Sequence, residues 1–568
     1  MKYIIKHKKE NGRFIEIECS FDSDQTNTFI DLPRWRPGRY ELSDFVQQVR
    51  DIEFLDNSGE VLNFLKTDIS TWEVSNNNKS FTAKYRFYCK ELNAGSSWIG
   101  DDVLYVNPVN CLMYCEDFAK EACEVKLHVP QDWIFAGGAV YKDGMFIVKD
   151  FQELADTPFI LSPSLQRRTF TVSEVKFHVW FYGECRPDFD KIEKDFIDYT
   201  KEQFIVMGDF PVKEYHYLNI ITNYKHYHGV EHQNSTVITL GPGYNLMNKS
   251  YGDLMGVSSH ELFHTWNVKN IRPIEMTPYD FQQPNFNRLG YVTEGLTTYY
   301  GDLFLKRSNF FDTKGFFNEL ETRFRAHFEN DGRFNKSVSN ASFDTWIDGY
   351  VRGIPHMKTN IYTEGMLCAL MCDLSIRLHT NHKNSLDSVI KDLYENFGKA
   401  NKGYSEKDYL NTLRKYGNDQ TEMIIQNFLY DTQDYESTLK GLLSSFGIEL
   451  HQEPHVNLST SLFGIHLKTD KQTIDRVSID STAFKQNFVD GCKILSINDI
   501  SVNANVDEWL NYFKEDESVK LTFSFEDQIT SIQLPMNESH FPIRKLRLKE
   551  NISDDEQAAF DNWLNSKA

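Results

Sequence analysis

Two histidines four residues apart, His260 and His264, with Glu261 directly after the first, constrain this chain more than any other stretch. Residues i and i+4 share one face of an α-helix, so the pair can grip a single metal ion if the segment Ser259–Asn267 is helical. Glu261, one step round, then lies beside the ion's open position, where a carboxylate can take a proton from bound water. Neutral imidazole suits zinc, which in a reactive site takes a third protein ligand and leaves its fourth position to water. The expectation is one zinc ion per chain. Glu294, 30 positions beyond His264, is the candidate third ligand. It opens a stretch of helical character (Glu294, Thr297, Thr298, Gly301), and a second helix can bring a carboxylate to the metal.

A chain of 568 residues is too long for one core and should divide into three or so domains. Its net charge of −21 argues against nucleic acid or anionic membrane as a main partner. No run approaches the ~18 consecutive apolar residues of a membrane span. Met1–Lys9 has no apolar core of signal-peptide length. The expectation is therefore a cytoplasmic protein, or a periplasmic or secreted one if a leader has been removed. Nine cysteines, an odd number without pairing rhythm, suit reduced thiols. Cys111/Cys115 and Cys368/Cys372 read as packed thiols.

Taken in order, the chain reads as multidomain α+β. Residues 1–165 alternate apolar and polar side chains with period two, as in Ile15, Ile17, Cys19 and Phe21 or Phe81, Ala83, Tyr85 and Phe87. That pattern predicts half-buried strands and a β-rich, sandwich-like domain; no cluster of catalytic residue types stands out there. Residues 166–452 begin with a helix (Ile192, Phe196, Tyr199, Val206) stopped at Gly208, then strands around Tyr217–Thr222 and up to Leu240. His226, His228 and His232 between them read as a polar rim. Helices dominate afterwards, and the run Glu364–Leu374 is apolar almost all round, so it belongs to a buried helix. Short strands return over 453–545. The tail 546–568 carries Ser553 and Glu556 in capping-box spacing, followed by Phe560, Trp563 and Leu564, which can dock on a neighbouring domain.

These residues resemble a known family. His260-Glu-Leu-Phe-His264-Thr-Trp-Asn, with Val292-Thr-Glu294-Gly-Leu-Thr-Thr-Tyr-Tyr, is similar to the gluzincin metallopeptidases, specifically the glycyl aminopeptidase family with a C-terminal PDZ domain. Leu32-Pro-Arg-Trp-Arg-Pro-Gly-Arg-Tyr resembles that family's N-terminal domain. Gly229-Val-Glu231-His232-Gln-Asn-Ser-Thr resembles its substrate-edge strand. The resemblance implies a thermolysin-like catalytic domain, α/β and then helical, with Glu294 as the third ligand and Gly229 and Glu231 in substrate binding. Glu231 would hold the substrate's α-ammonium group, since an ammonium beside the metal must be charge-paired. Tyr362 would donate to the oxyanion, although Ile361 and Glu364 depart from the family's pattern around it. The last domain would be PDZ-like, with Phe463, Gly464 and Ile465 in a turn that captures a peptide C-terminus. Cys492 and Asp499 depart from that pattern.

The function these expectations describe is a zinc-dependent aminopeptidase acting on peptides with a free N-terminus. The resemblance adds a preference for small first residues, glycine or alanine. The alternatives left open are a zinc endopeptidase, an epoxide or lipid hydrolase on a similar site, and a peptide-binding scaffold worked by the C-terminal domain.

Overall fold

The computed structural model describes residues 1–8, 12–351, 353–537 and 539–565. Its N-terminal part is built on a six-stranded sheet in the order Met145–Val148, Cys123–His128, Lys2–Lys6, Phe14–Phe21, Phe81–Tyr88, Val49–Asp56. Lys2–Lys6 runs parallel to Cys123–His128, and the other pairings are antiparallel. The period-two pattern is realised along Phe14–Phe21, where Ile15, Ile17, Cys19 and Phe21 point inward. A three-stranded and a four-stranded sheet complete this part. Its apolar core gathers Tyr3, Trp35, Phe54 and Trp72 and extends to Met276, Tyr279 and Phe281 of the following region.

The second part opens on a five-stranded sheet in the order Gln166–Val172, Val175–Tyr182, Glu214–Ile221, Ser235–Gly241, His226–Glu231. The three middle strands are parallel, and the two outer ones are antiparallel to their neighbours. Helix Phe189–Met207 makes the crossover between the second and third strands, capped by Asp188 and stopped at Gly208, whose φ of 92° suits glycine. His226–Glu231 lies at the border and is called the edge strand below.

Helix Tyr251–Phe263, the motif helix, packs on the face of this sheet next to the edge strand, burying Leu254, Met255 and Leu262. Behind it runs Tyr291–Arg307, the ligand helix, whose first six residues form a π-helical turn. Gly301 permits the two helices to approach closely: a β-carbon there would lie 3.3 Å from the His260 Cα. The near-continuous apolar run becomes helix Ile361–His379, buried along most of its length.

Beyond it, Ile448–Glu453 pairs antiparallel with Ile543–Leu548. Between these strands lies a body with its own core around Phe463, Ile494, Leu510 and Leu521. It carries a four-stranded sheet in the order Ile500–Ser501, Lys493–Ile497, Ser518–Phe525, Gln528–Pro535. The tail forms helix Asp554–Leu564 with the Ser553/Glu556 capping box in place, and Phe560, Trp563 and Leu564 are buried. Among the described residues, no helix is long and apolar enough to cross a membrane. All nine cysteines are buried free thiols.

Candidate active site

The motif helix brings His260 and His264 one turn apart at its C-terminal end, with their Nε2 atoms 3.0 Å from each other. Glu294 reaches them from the π-helical turn, placing Oε2 3.5 Å from His264 Nε2 and 3.9 Å from His260 Nε2. A π-turn inserts an extra residue into a helix and re-aims its side chains, and such turns recur at functional sites. Ligand atoms bound to one zinc at tetrahedral angles lie about 3.3 Å apart, and the three separations straddle that value. The donor set, two imidazoles and a carboxylate, is that of a reactive zinc site.

The second layer orients these ligands. His264 Nδ1 lies 2.7 Å from the Asn267 carbonyl oxygen, an acceptor only, so Nδ1 carries a proton and Nε2 is the nitrogen turned toward Glu294 and His260. Asn267 is tied in turn to the Val292 carbonyl and the Thr297 hydroxyl. The Tyr40 hydroxyl donates to Glu294 Oε1 at 3.3 Å, leaving Oε2 toward the histidines.

Glu261 projects from the motif helix toward the edge strand. A β-carbon at Gly229 would lie 2.2 Å from Glu261 Oε1, so glycine is what lets the carboxylate reach this strand. Glu231 ends the same strand. Its carboxylate, that of Glu261 and the His264 ring place ligand atoms within 4.8 Å of one another. Glu231 Oε1 and Glu261 Oε2 are buried without a hydrogen-bond partner among the described residues. Burial, reinforced by the Glu231 and Glu294 charges, pushes the Glu261 carboxyl well above its usual range. Burial would lower His264, but the Glu294 carboxylate raises it to about 9. Three buried carboxylates, two of them with an orphaned oxygen, are costly unless cations join them. The donor set therefore fits a metal ion, and the orphaned oxygens fit a further cationic group.

Tyr362 lies in the first turn of helix Ile361–His379, which is capped by Asn360, and it lines the same cleft of about 650 Å³ as His260, Glu261, Glu294 and Glu231. Burial and the Glu294 charge hold its phenol well above its usual pKa, so it stays a donor. Among the described residues His226, His228 and His232 do not gather round one point, and two of them have other neighbours: Arg36 Nη2 lies 3.4 Å from His228 Nε2, and His232 Nδ1 lies 3.0 Å from Asp156.

One expectation needs correcting. The N-terminal region, which shows no catalytic cluster in sequence, forms a wall of the site. Gly38, at φ 77°, presses so close that a β-carbon would lie 2.4 Å from Glu231 Oε2. Tyr40 bonds Glu294, and its N–H donates to the Tyr350 hydroxyl at 3.3 Å. The signal was present in Arg36-Pro-Gly-Arg-Tyr40, a turn with rigid flanks, but nothing local connects it with residues 190 to 320 positions away. The expected carboxylate-binding turn also differs. Leu458–Phe463 is a helix, Gly464 donates its N–H to the Thr460 carbonyl as the helix cap, and Phe463 and Ile465 are core residues. With its amide already engaged, Gly464 is not free to capture a chain terminus.

No curated protein matches the sequence. The fold is shared with an aminopeptidase N family protein from Idiomarina loihiensis at a TM-score of 0.90 and 23% identity, over 99% of this chain and 100% of that one. An M1 zinc metallopeptidase from Deinococcus radiodurans bound to a Tyr-Ser-Ala substrate aligns more loosely. Its TM-score is 0.46 at 12% identity, over 76% of this chain and 94% of that one. Residues 2–163 match the Peptidase M61 N-terminal domain and residues 253–368 the M61 glycyl aminopeptidase, so the N-terminal and metal-site stretches both match the M61 glycyl aminopeptidase family.

Proposed function

We propose that the chain is a zinc-dependent aminopeptidase of the gluzincin type, hydrolysing the first peptide bond of substrates with a free N-terminus. The observation that carries this reading is the adjacency of two sets of groups: the convergent His260, His264 and Glu294 atoms, and the orphaned Glu231 carboxylate beside them. His260 Nε2, His264 Nε2 and Glu294 Oε2 would hold the ion. When bound, zinc supplies Lewis acidity toward water and the scissile carbonyl.

Glu231 pairs with the α-ammonium group, and Gly38 behind it blocks further chain in that direction. This is how the site counts one residue from the end. Glu261, raised by its surroundings, takes a proton from the attacking water and passes it to the leaving amine. Tyr362, kept protonated, donates to the developing oxyanion, a contribution of about 2–4 kcal/mol where such donors have been removed. The wall of Gly38 and Tyr40 supports a small first residue, glycine or alanine. A PDZ-like fold for residues 453–545 belongs to the same reading, serving as a packing module.

Glu261→Gln is expected to bind one zinc per chain and lose at least ~10²-fold in kcat. Full turnover in that variant would sink the mechanism. A glycine-terminated peptide should be cleaved and its N-acetylated form spared; equal cleavage would make the protein an endopeptidase.

A further inference from the structure

Beside the catalytic cleft lies a second space. A cavity of about 1160 Å³ opens at the carboxyl ends of the parallel strands Val175–Tyr182, Glu214–Ile221 and Ser235–Gly241. Ligands of α/β sheets commonly sit in that crevice. Its far wall is Lys90–Asn93 and Trp98 of the N-terminal region, with the Arg13 guanidinium 4.7 Å above the Trp98 ring. Two tyrosines stand exposed at its lip, Tyr224 at 50% and Tyr244 at 80%.

The two spaces adjoin along the edge strand. Tyr227, Gly229 and Glu231 line the catalytic cleft, while His226, one residue earlier, lines the second cavity. On the opposite wall Lys249 lines the first and Asn248 the second.

The edge strand also has a free side and a direction. Among the described residues it pairs only with Ser235–Gly241, antiparallel. His232 N–H donates to the Ser235 carbonyl, and bonded and non-bonded pairs alternate along such a ladder. Val230, His228 and His226 therefore turn their backbone groups inward, and Glu231, Gly229 and Tyr227 offer theirs to the cleft. Glu231 marks the substrate's N-terminus, and Gly229 lies against Glu261, so the bond cut lies opposite Gly229. Gly38 blocks the chain beyond Glu231, so the peptide must leave past Tyr227 toward His226. At ~3.3 Å per residue, the distance from Glu231 to His226 takes about five substrate residues.

We propose that the second cavity is a distal substrate site. It takes the residues from about the fifth onward of an extended peptide held by its N-terminus at Glu231, with apolar or aromatic side chains there packing on Tyr224, Tyr244 and Trp98. This rests on the aminopeptidase reading and extends it from a first-residue filter to a preference for peptides over dipeptides.

The test compares kcat/KM of the zinc-loaded enzyme on glycine p-nitroanilide, a glycine-terminated tripeptide, and a glycine-terminated octapeptide with Phe or Leu at positions six to eight. The octapeptide should exceed the tripeptide tenfold or more, chiefly through KM. The Tyr224→Ala/Tyr244→Ala double variant should bring the octapeptide down to the tripeptide's level with the tripeptide constant unmoved. Equal constants for the two peptides in the parent enzyme, or equal losses on both in the variant, would overturn the distal site while leaving the aminopeptidase intact. No turnover on any of the three would instead strike the aminopeptidase reading, and the distal site with it.

Discussion

Glycine does two jobs at this site that no other residue could do. At Gly229 it lets a buried carboxylate touch the edge strand, and at Gly38 it lets a turn of the N-terminal region press on the Glu231 carboxylate. Tyr40 is the residue whose role is most open to a direct test. Its hydroxyl is a neutral donor on the oxygen of Glu294 that faces away from the histidines. Removing such an outer partner typically weakens metal binding 10–100-fold. Tyr40→Phe should therefore lose zinc to a chelator at roughly 10-fold lower concentration while keeping its fold. Unchanged competition curves would reduce Tyr40 to a packing residue. The pairing of His260 with His264 was legible, because i,i+4 spacing is a local property of one helix. Tyr40 was not, because its partner lies 254 positions away.

At the scale of elements, the tail helix Asp554–Leu564 is a brace for the site. Trp563 is fully buried, and its indole N–H donates to the Tyr299 hydroxyl at 2.9 Å. Tyr299 donates to Asp373, which also receives Arg377 at 3.0 Å. Arg307 and Arg377 close the contact by donating to the Trp563 and Asn562 carbonyls. The ligand helix and helix Ile361–His379, which carry Glu294 and Tyr362, are thus clamped by the last element of the chain. Trp563→Ala should destabilise by about 3–5 kcal/mol, the usual cost of emptying a large aromatic site. It should lower the unfolding temperature by several degrees, read by calorimetry; a shift under one degree would show that the tail merely covers the surface. The tail's docking was readable from its apolar spacing and capping box, but its address was not, since amphipathic spacing says that a face is buried and not against what.

Across the whole molecule, the N-terminal and catalytic parts are pinned together by Asp156. Its carboxylate receives Lys269 at 2.8 Å, His232 at 3.0 Å and the Gln233 N–H at 2.9 Å. Burial by itself would raise its pKa, but Lys269 and the His232 bond outweigh it and hold the carboxyl well below the usual range. A depressed folded-state pKa means that the stabilisation is complete above the unfolded value, about 3.9, and is lost as pH falls through the folded one. Asp156→Asn strands the fully buried Lys269 amine, which should cost about 3–5 kcal/mol at pH 7. Thermal scans should show the gap between parent and variant narrowing as pH falls from about 4 toward 2. A gap of constant size over that range would refute the ion-pair account.

The sequence alone determined what a single element can state: the shared face of His260 and His264 on the motif helix, the alternation of the first strands, the buried run after Glu364, the capped tail. Each depends on residues within a few turns of one another, where spacing translates directly into a shared face. The N-terminal wall at Gly38 and Tyr40 and the cavity beyond His226 were decided by tertiary structure. They depend on which distant segments meet. That is set by how the sheets and helices pack around separate cores, and no local pattern carries it.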